Sequence, residues 1–134
     1  ITVIDERIEF ANSERFPEAK VLSGEYNKVL KDVDVKNSYI VITTKGHTSD
    51  YEALREVVGK DYRYLGLIGS KRKINTLMND AINDGLNVVN NNRLFSPIGL
   101  NIAKNDPAEI ALSIMAEILL IKNGGSLKHL NIER

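Results

Sequence analysis

Apolar positions in this chain fall into short blocks separated by amphipathic stretches. β-Branched and aromatic residues dominate Ile1 to Ile4, Val21-Leu22, Tyr39 to Thr44, Tyr62 to Ile68 and Leu94-Phe95. Near-continuous apolar runs of this length read as strands buried on both faces. Helical spacing takes over between them. Ser49-Asp50-Tyr51-Glu52 has the form of a capping box and predicts a helix to about Val58, stopped by Gly59. Ser70 caps a second, with Ile74, Leu77, Met78, Ala81 and Ile82 at helical spacing as far as Asp84-Gly85. Asp106-Pro107-Ala108-Glu109 opens a third: the Asp caps, the Pro sits where its missing N–H costs nothing, and the Glu completes the box. Ile110, Ala111, Ile114, Met115, Ile118, Leu119 and Ile121 make that helix apolar over more than one face, so a sheet alone does not cover it.

Strands alternating with helices predict an α/β, Rossmann-like, doubly wound and mostly parallel sheet. The chain opens inside its first apolar run, so the first strand of such a fold and its glycine-rich loop are expected upstream of Ile1. Residues 1–122 are expected to form the nucleotide- or cofactor-binding domain and 123–134 a polar, frayed tail.

Composition narrows the functions. Eighteen basic residues balance eighteen acidic ones, so no global field draws the chain to nucleic acid or an anionic membrane. Cysteine is absent, which removes disulfides, thiolate metal sites and cysteine nucleophiles, and two histidines alone make a poor metal site. No apolar run is long enough to span a bilayer and no signal peptide is evident, so the expected compartment is the cytoplasm.

Four stretches could carry chemistry. Asp5-Glu6-Arg7 ends the opening strand, where doubly wound folds place an acid against a ribose hydroxyl; Arg7 suits a 2′-phosphate, and a solvated strand end is the plain alternative. Thr43-Thr44-Lys45-Gly46-His47 follows a buried strand, in the crevice where such sheets bind ligands. Gly46 would allow close backbone approach and His47 would face a ligand, unless it is a surface histidine. In Gly66-Leu67-Ile68-Gly69-Ser70-Lys71-Arg72-Lys73, three cations crowd a helix start that already carries a positive dipole end. A phosphate would reconcile them, with Gly69 giving access, Ser70 a hydrogen bond, and Arg72 and Lys73 charge; screening by solvent is the alternative. Finally, Ser96-Pro97-Ile98-Gly99-Leu100-Asn101-Ile102 is an apolar loop, stiffened by Pro97, whose Gly99 needs positive φ or close contact.

In this order, Asp5 to Asn12 with Arg15-Phe16-Pro17, Lys45-Gly46-His47 with Asp50, Gly66 to Lys73, Pro97 to Leu100 and Pro107 to Ile114 resemble the C-terminal Rossmann-like domain of the XdhC/CoxI family, the xanthine dehydrogenase accessory factors. The resemblance implies a chaperone-like role in maturing molybdenum hydroxylases. It would bind molybdenum cofactor (molybdopterin) or NAD(P) or another nucleotide and meet the hydroxylase apoenzyme, with no turnover of its own. A homodimer is also expected, and neither nucleic acid nor membrane is an expected partner. The alternative is a fragment of an NAD(P)-dependent oxidoreductase, since the same fold serves both.

Overall fold

The computed structural model describes residues 1–132. Its elements, in chain order, are β1 (Thr2–Asp5), β2 (Lys20–Ser23), α1 (Tyr26–Val29), β3 (Tyr39–Ile42), α2 (His47–Val57), β4 (Tyr64–Leu67), α3 (Lys71–Asn83), β5 (Leu94–Phe95) and α4 (Pro107–Asn123). Every strand pairing among them is parallel. The run from β3 through α2, β4 and α3 to β5 is two consecutive βαβ units, as the alternation predicts. The strands form two sheets, β1-β2 and β3-β4-β5, and β1 and β3 are each left with an open edge.

Strand and helix bounds follow from local chemistry. β4 is buried along its whole length, as a central parallel strand must be. Leu65 and Leu67 of β4, Leu54 and Val57 of α2, and Leu77 and Ala81 of α3 form the centre of the core. Each of the larger side chains contributes roughly 1.5–3 kcal/mol by leaving water. Tyr62 is buried too; its hydroxyl donates to the Val58 carbonyl at 3.0 Å and accepts from Asn91 Nδ2 at 2.9 Å, so no polar atom is stranded. Tyr64 stacks on Phe95 with ring centroids 4.8 Å apart, fixing β5 against β4.

Two local readings change. The helix after β3 begins at His47, with Gly46 at its N-cap, so Ser49 lies inside it. The capping box fails because Ser49 Oγ donates to Glu6 Oε1 at 3.0 Å and is turned away from its own helix end. The single turn α1 has no sequence signal, being too short to show a period. By contrast Ser70 caps α3 as expected, its Oγ accepting from Lys73 N at 3.2 Å.

The Ser49–Glu6 bond also joins the sheets. Glu6 directly follows β1 and Ser49 lies in the first turn of α2, so the carboxyl ends of β1 and β3 are held close together. Between the two strands runs a cleft of about 440 Å³, lined by β1, the segment Ser38–Thr44, and residues of α1 and α2 beneath. The connection from β1 to β2 contains no helix. Its shape is held by Phe10, whose ring has the guanidinium carbons of Arg7 and Arg15 at 4.3 and 5.2 Å from its centroid.

The chain divides after Pro97 into two compact units, a boundary that no composition shift marks. The second unit carries α4, capped by Asp106, whose Oδ1 accepts from Ala108 N at 3.2 Å, and ended by Gly124 in the left-handed region. Asn123 is the last helical residue, and the rest of the expected tail up to Ile132 lacks regular structure; Glu133 and Arg134 lie outside the described residues. Within this unit Gly99 has φ +96°, and its N–H donates to Glu117 Oε1 at 3.0 Å. A Cβ there would stand 2.7 Å from Ser113 Oγ. Both conditions named for Gly99 therefore hold, and Ser113 and Glu117, polar positions on α4, seat its loop. Gly99→Ala should destabilise by about 1–3 kcal/mol in urea unfolding. Adding Ser113→Ala should recover the part due to the clash and leave the part due to φ.

Candidate functional site

In parallel α/β sheets the strand ends that face ligands are the carboxyl ends. Here Asp5 ends β1, and the segments Thr43 to His47 and Gly69 to Lys73 follow β3 and β4, all in the first unit.

At the end of β1, Asp5 is gripped by its neighbour. Arg7 Nε donates to Oδ1 and Nη2 to Oδ2, each at 3.0 Å, while Arg7 N donates to Oδ1 at 2.9 Å. This fork holds the Asp5 carboxyl below its ordinary value, with Lys45 adding a weaker pull. A carboxylate has room for about four donors, so Asp5 keeps capacity for one hydroxyl. Tyr26, buried beside it, has its hydroxyl pKa raised by burial first and by the Asp5 charge second. Sequence spacing gave no sign of Tyr26, because it belongs to the single turn α1.

After β3 and β4, one carboxylate joins two loops. Asp50 is 0% exposed, and its Oδ1 accepts from Thr44 N at 3.0 Å and Thr44 Oγ1 at 2.6 Å. Its Oδ2 accepts from Lys73 Nζ at 2.5 Å. A buried charge requires such partners, and Asp50 has three donors from two strand ends. Gly69 makes the reach possible: at φ +155°, a Cβ there would stand 3.1 Å from Lys73 Cδ and 3.4 Å from Ile74 Cδ1. Its role inside the protein is to let the lysine stem pass. Of the three cations at this helix start, Lys73 is therefore committed to Asp50, whereas Lys71 and Arg72 are exposed and have no ion-pair partner among the described residues. Ser70, also exposed, stands next to them.

Gly46 adopts an extended conformation, and a Cβ added to it would meet nothing within 4 Å, so open space lies before it. His47 is the first residue of α2, not a loop residue, and its Nε2 lies 3.5 Å from Asp80 Oδ2 of α3. That contact links the starting turn of one helix to the other. Farther along α2, the Tyr51 hydroxyl donates to Asp84 Oδ2, and its pKa is pushed up to about 12, by burial and then by this bond. Pro97 follows β5 through a cis peptide bond and is exposed, at the end of the first unit. Gly99 belongs to the second unit, with the contacts described above. The residues brought together by direct bonds are thus Asp5 with Arg7, and Thr44 with Asp50 and Lys73. The last set was hidden because Asp50 and Lys73 meet only through the fold.

Two variants check this geometry. Lys73→Met should cost about 3–5 kcal/mol in urea unfolding by leaving a buried carboxylate unpaired, and the double variant with Asp50→Asn should recover much of that loss. Arg7→Gln removes the fork from a carboxylate whose folded pKa is depressed. Its stabilisation is present above the ordinary value of 3.8 and is lost as pH falls through the lower folded value. The gap between the urea midpoints of wild type and Arg7→Gln should stay constant from neutral pH down towards 3.8 and shrink only as pH falls below that value.

Comparison with known proteins adds the family. Residues 1–118 match the XdhC Rossmann domain. The uncharacterized protein YqeB of Escherichia coli K12 is 32% identical over 126 residues, which are 92% of this chain and 23% of that protein. A probable xanthine dehydrogenase subunit from Bacillus subtilis 168 is 26% identical over 121 residues, 89% of this chain and 34% of that protein. The crystal structure of a xanthine dehydrogenase from Bacillus halodurans superposes with a TM-score of 0.78 at 26% identity, covering 94% of this chain and 36% of that one. The chain thus spans about a quarter to a third of the length of these relatives. With its parallel βαβ units and its match over residues 1–118, the chain belongs to the XdhC Rossmann-domain family.

Proposed function

We propose that this chain is the ligand-holding domain of an accessory factor for xanthine dehydrogenase-type molybdenum hydroxylases, and that it holds a phosphate-bearing ligand, a molybdopterin or a nucleotide, at its strand ends. The names of the Bacillus relatives support the partner class. The observation that carries the ligand class is the start of α3, where Lys71 and Arg72 stand exposed without counter-charge among the described residues, beside Ser70 and the helix N–H groups. Cations there are unfavourable by roughly 0.3–1 kcal/mol each unless an anion joins them. Asp5, with room for one more donor, would take a hydroxyl of the same ligand. Lys73 and Asp50 would keep the two loops in place without touching it. In this reading the domain binds and presents the ligand.

Pairing into a homodimer belongs to the same reading. Leu112, Met115 and Leu119 are exposed along α4 at helical spacing, a face that a second copy would cover.

Calorimetric titration with molybdenum cofactor under anaerobic conditions, NAD⁺, NADP⁺ and ATP tests the ligand class. At least one should bind, more weakly as salt rises, and Lys71→Ala with Arg72→Ala should lower its affinity by about 10–100-fold, the loss of one or two charge-assisted hydrogen bonds. Unchanged affinity in that double variant would sink the proposal, and so would an absence of binding by all four.

A further inference from the structure

Two apolar surfaces of the second unit lie open without covering each other. One is the face of α4 that presents Ala108, Leu112, Met115 and Leu119, all exposed and at helical spacing. The other is the segment after the helix, residues 126–132, in which Leu127, Leu130 and Ile132 are 73%, 101% and 78% exposed. That segment lies beyond residues 1–118, the part that matches the family. We infer that it is an exchange arm: in a pair of copies, each arm lies along the exposed face of the other copy's α4. The inference rests on the homodimer reading above and names the segment that covers the face.

Length and charge agree with that occupant. Leu127 to Ile132 spans roughly 16 Å as extended chain, and Ala108 to Leu119 spans roughly 16 Å along a helix axis. Glu109, at the start of the face, and Lys128, beside Leu127, are both exposed and have no ion-pair partner among the described residues. With Leu127 set against Ala108 and Ile132 against Leu119, Lys128 comes beside Glu109. The arm then runs parallel to the helix that it covers.

A chain's own arm does not reach that position. Ala108 lies about 24 Å along the helix axis from Gly124, whereas the three peptide steps from Gly124 to Leu127 reach about 10 Å. Laid on its own helix, the arm would start beside Leu119 and run antiparallel. Lys128 would then approach Lys122, a like charge, and Glu109 would stay unmatched.

A second copy meets both conditions. Gly124 in the left-handed region, with Gly125 N donating to the Leu120 carbonyl at 3.0 Å, turns the chain back at the end of α4. An arm that has reversed runs opposite to its own α4. It is therefore parallel to the α4 of a copy laid antiparallel beside it, and a two-fold axis perpendicular to the helices places both arms at once.

Sedimentation velocity on the 134-residue chain tests the pairing. The chain should dimerise, and stopping it after Gly125 should raise the dimer dissociation constant by about tenfold or more, through the loss of three apolar side chains, without changing its circular dichroism. Leu127→Asp with Leu130→Asp should do the same at full length. Because the chain has no cysteine, a mixture of Glu109→Cys chains and Lys128→Cys chains reports the contact directly. Mild oxidation should give covalent dimers of mixed composition, and the two Asp substitutions in the Lys128→Cys chain should prevent them. In a chain carrying both cysteines, an internal disulfide in place of the covalent dimer would overturn the inference in favour of an arm folded on its own helix. A dimer as strong after stopping at Gly125 would also overturn it while leaving the homodimer reading in place. A chain that stays monomeric at every concentration would defeat both.

Discussion

A fully buried carboxylate must be surrounded by donors, and Asp50 sets what the neighbouring loops can do. It holds Thr44 through both backbone and hydroxyl and draws Lys73 across Gly69. The turn after β3 and the turn after β4 are thereby fixed to one point, and with them the starts of α2 and α3. Removing Lys73 leaves the fully buried Asp50 without its counter-charge. The exposed cations at the start of α3 are presented from this frame and take no part in it. The proposed anion would therefore meet a helix start whose backbone is already fixed in place.

The same bond explains why a helix start crowded with positive charge persists. One of its three cations is neutralised from within, by a residue of the preceding helix. The remaining two face outward, where the dipole end and the free N–H groups reinforce them. The uncompensated charge there is therefore confined to the exposed side of the helix start.

Much of this was legible in the sequence. Apolar runs marked every strand, and Ser70 and Asp106 marked two helix starts because a capping side chain and its N–H partner are neighbours in the chain. The capping box at Ser49 misled because Glu6, many residues away, recruits its hydroxyl. Lys73 read as a free cation for a similar reason: its counter-ion arrives from another helix. Gly99 was readable as a constrained glycine, although whether φ or contact imposed the constraint needed Ser113 in place. The division of the strands into two sheets, and the cleft between them, belong to three dimensions.

The connection between β1 and β2 has a mechanical consequence. A parallel crossover ordinarily uses a helix packed on the sheet, and this one uses turns gathered around a partly exposed ring flanked by Arg7 and Arg15. Ala11 is the one residue between Glu6 and Ala19 that is buried. A segment with so little apolar anchorage has a low free energy of local opening. β2 and the crossover beyond Arg7 are thus anchored more weakly than the buried βαβ core. The chain can lose its outermost strand in a subglobal fluctuation and keep the buried βαβ core intact.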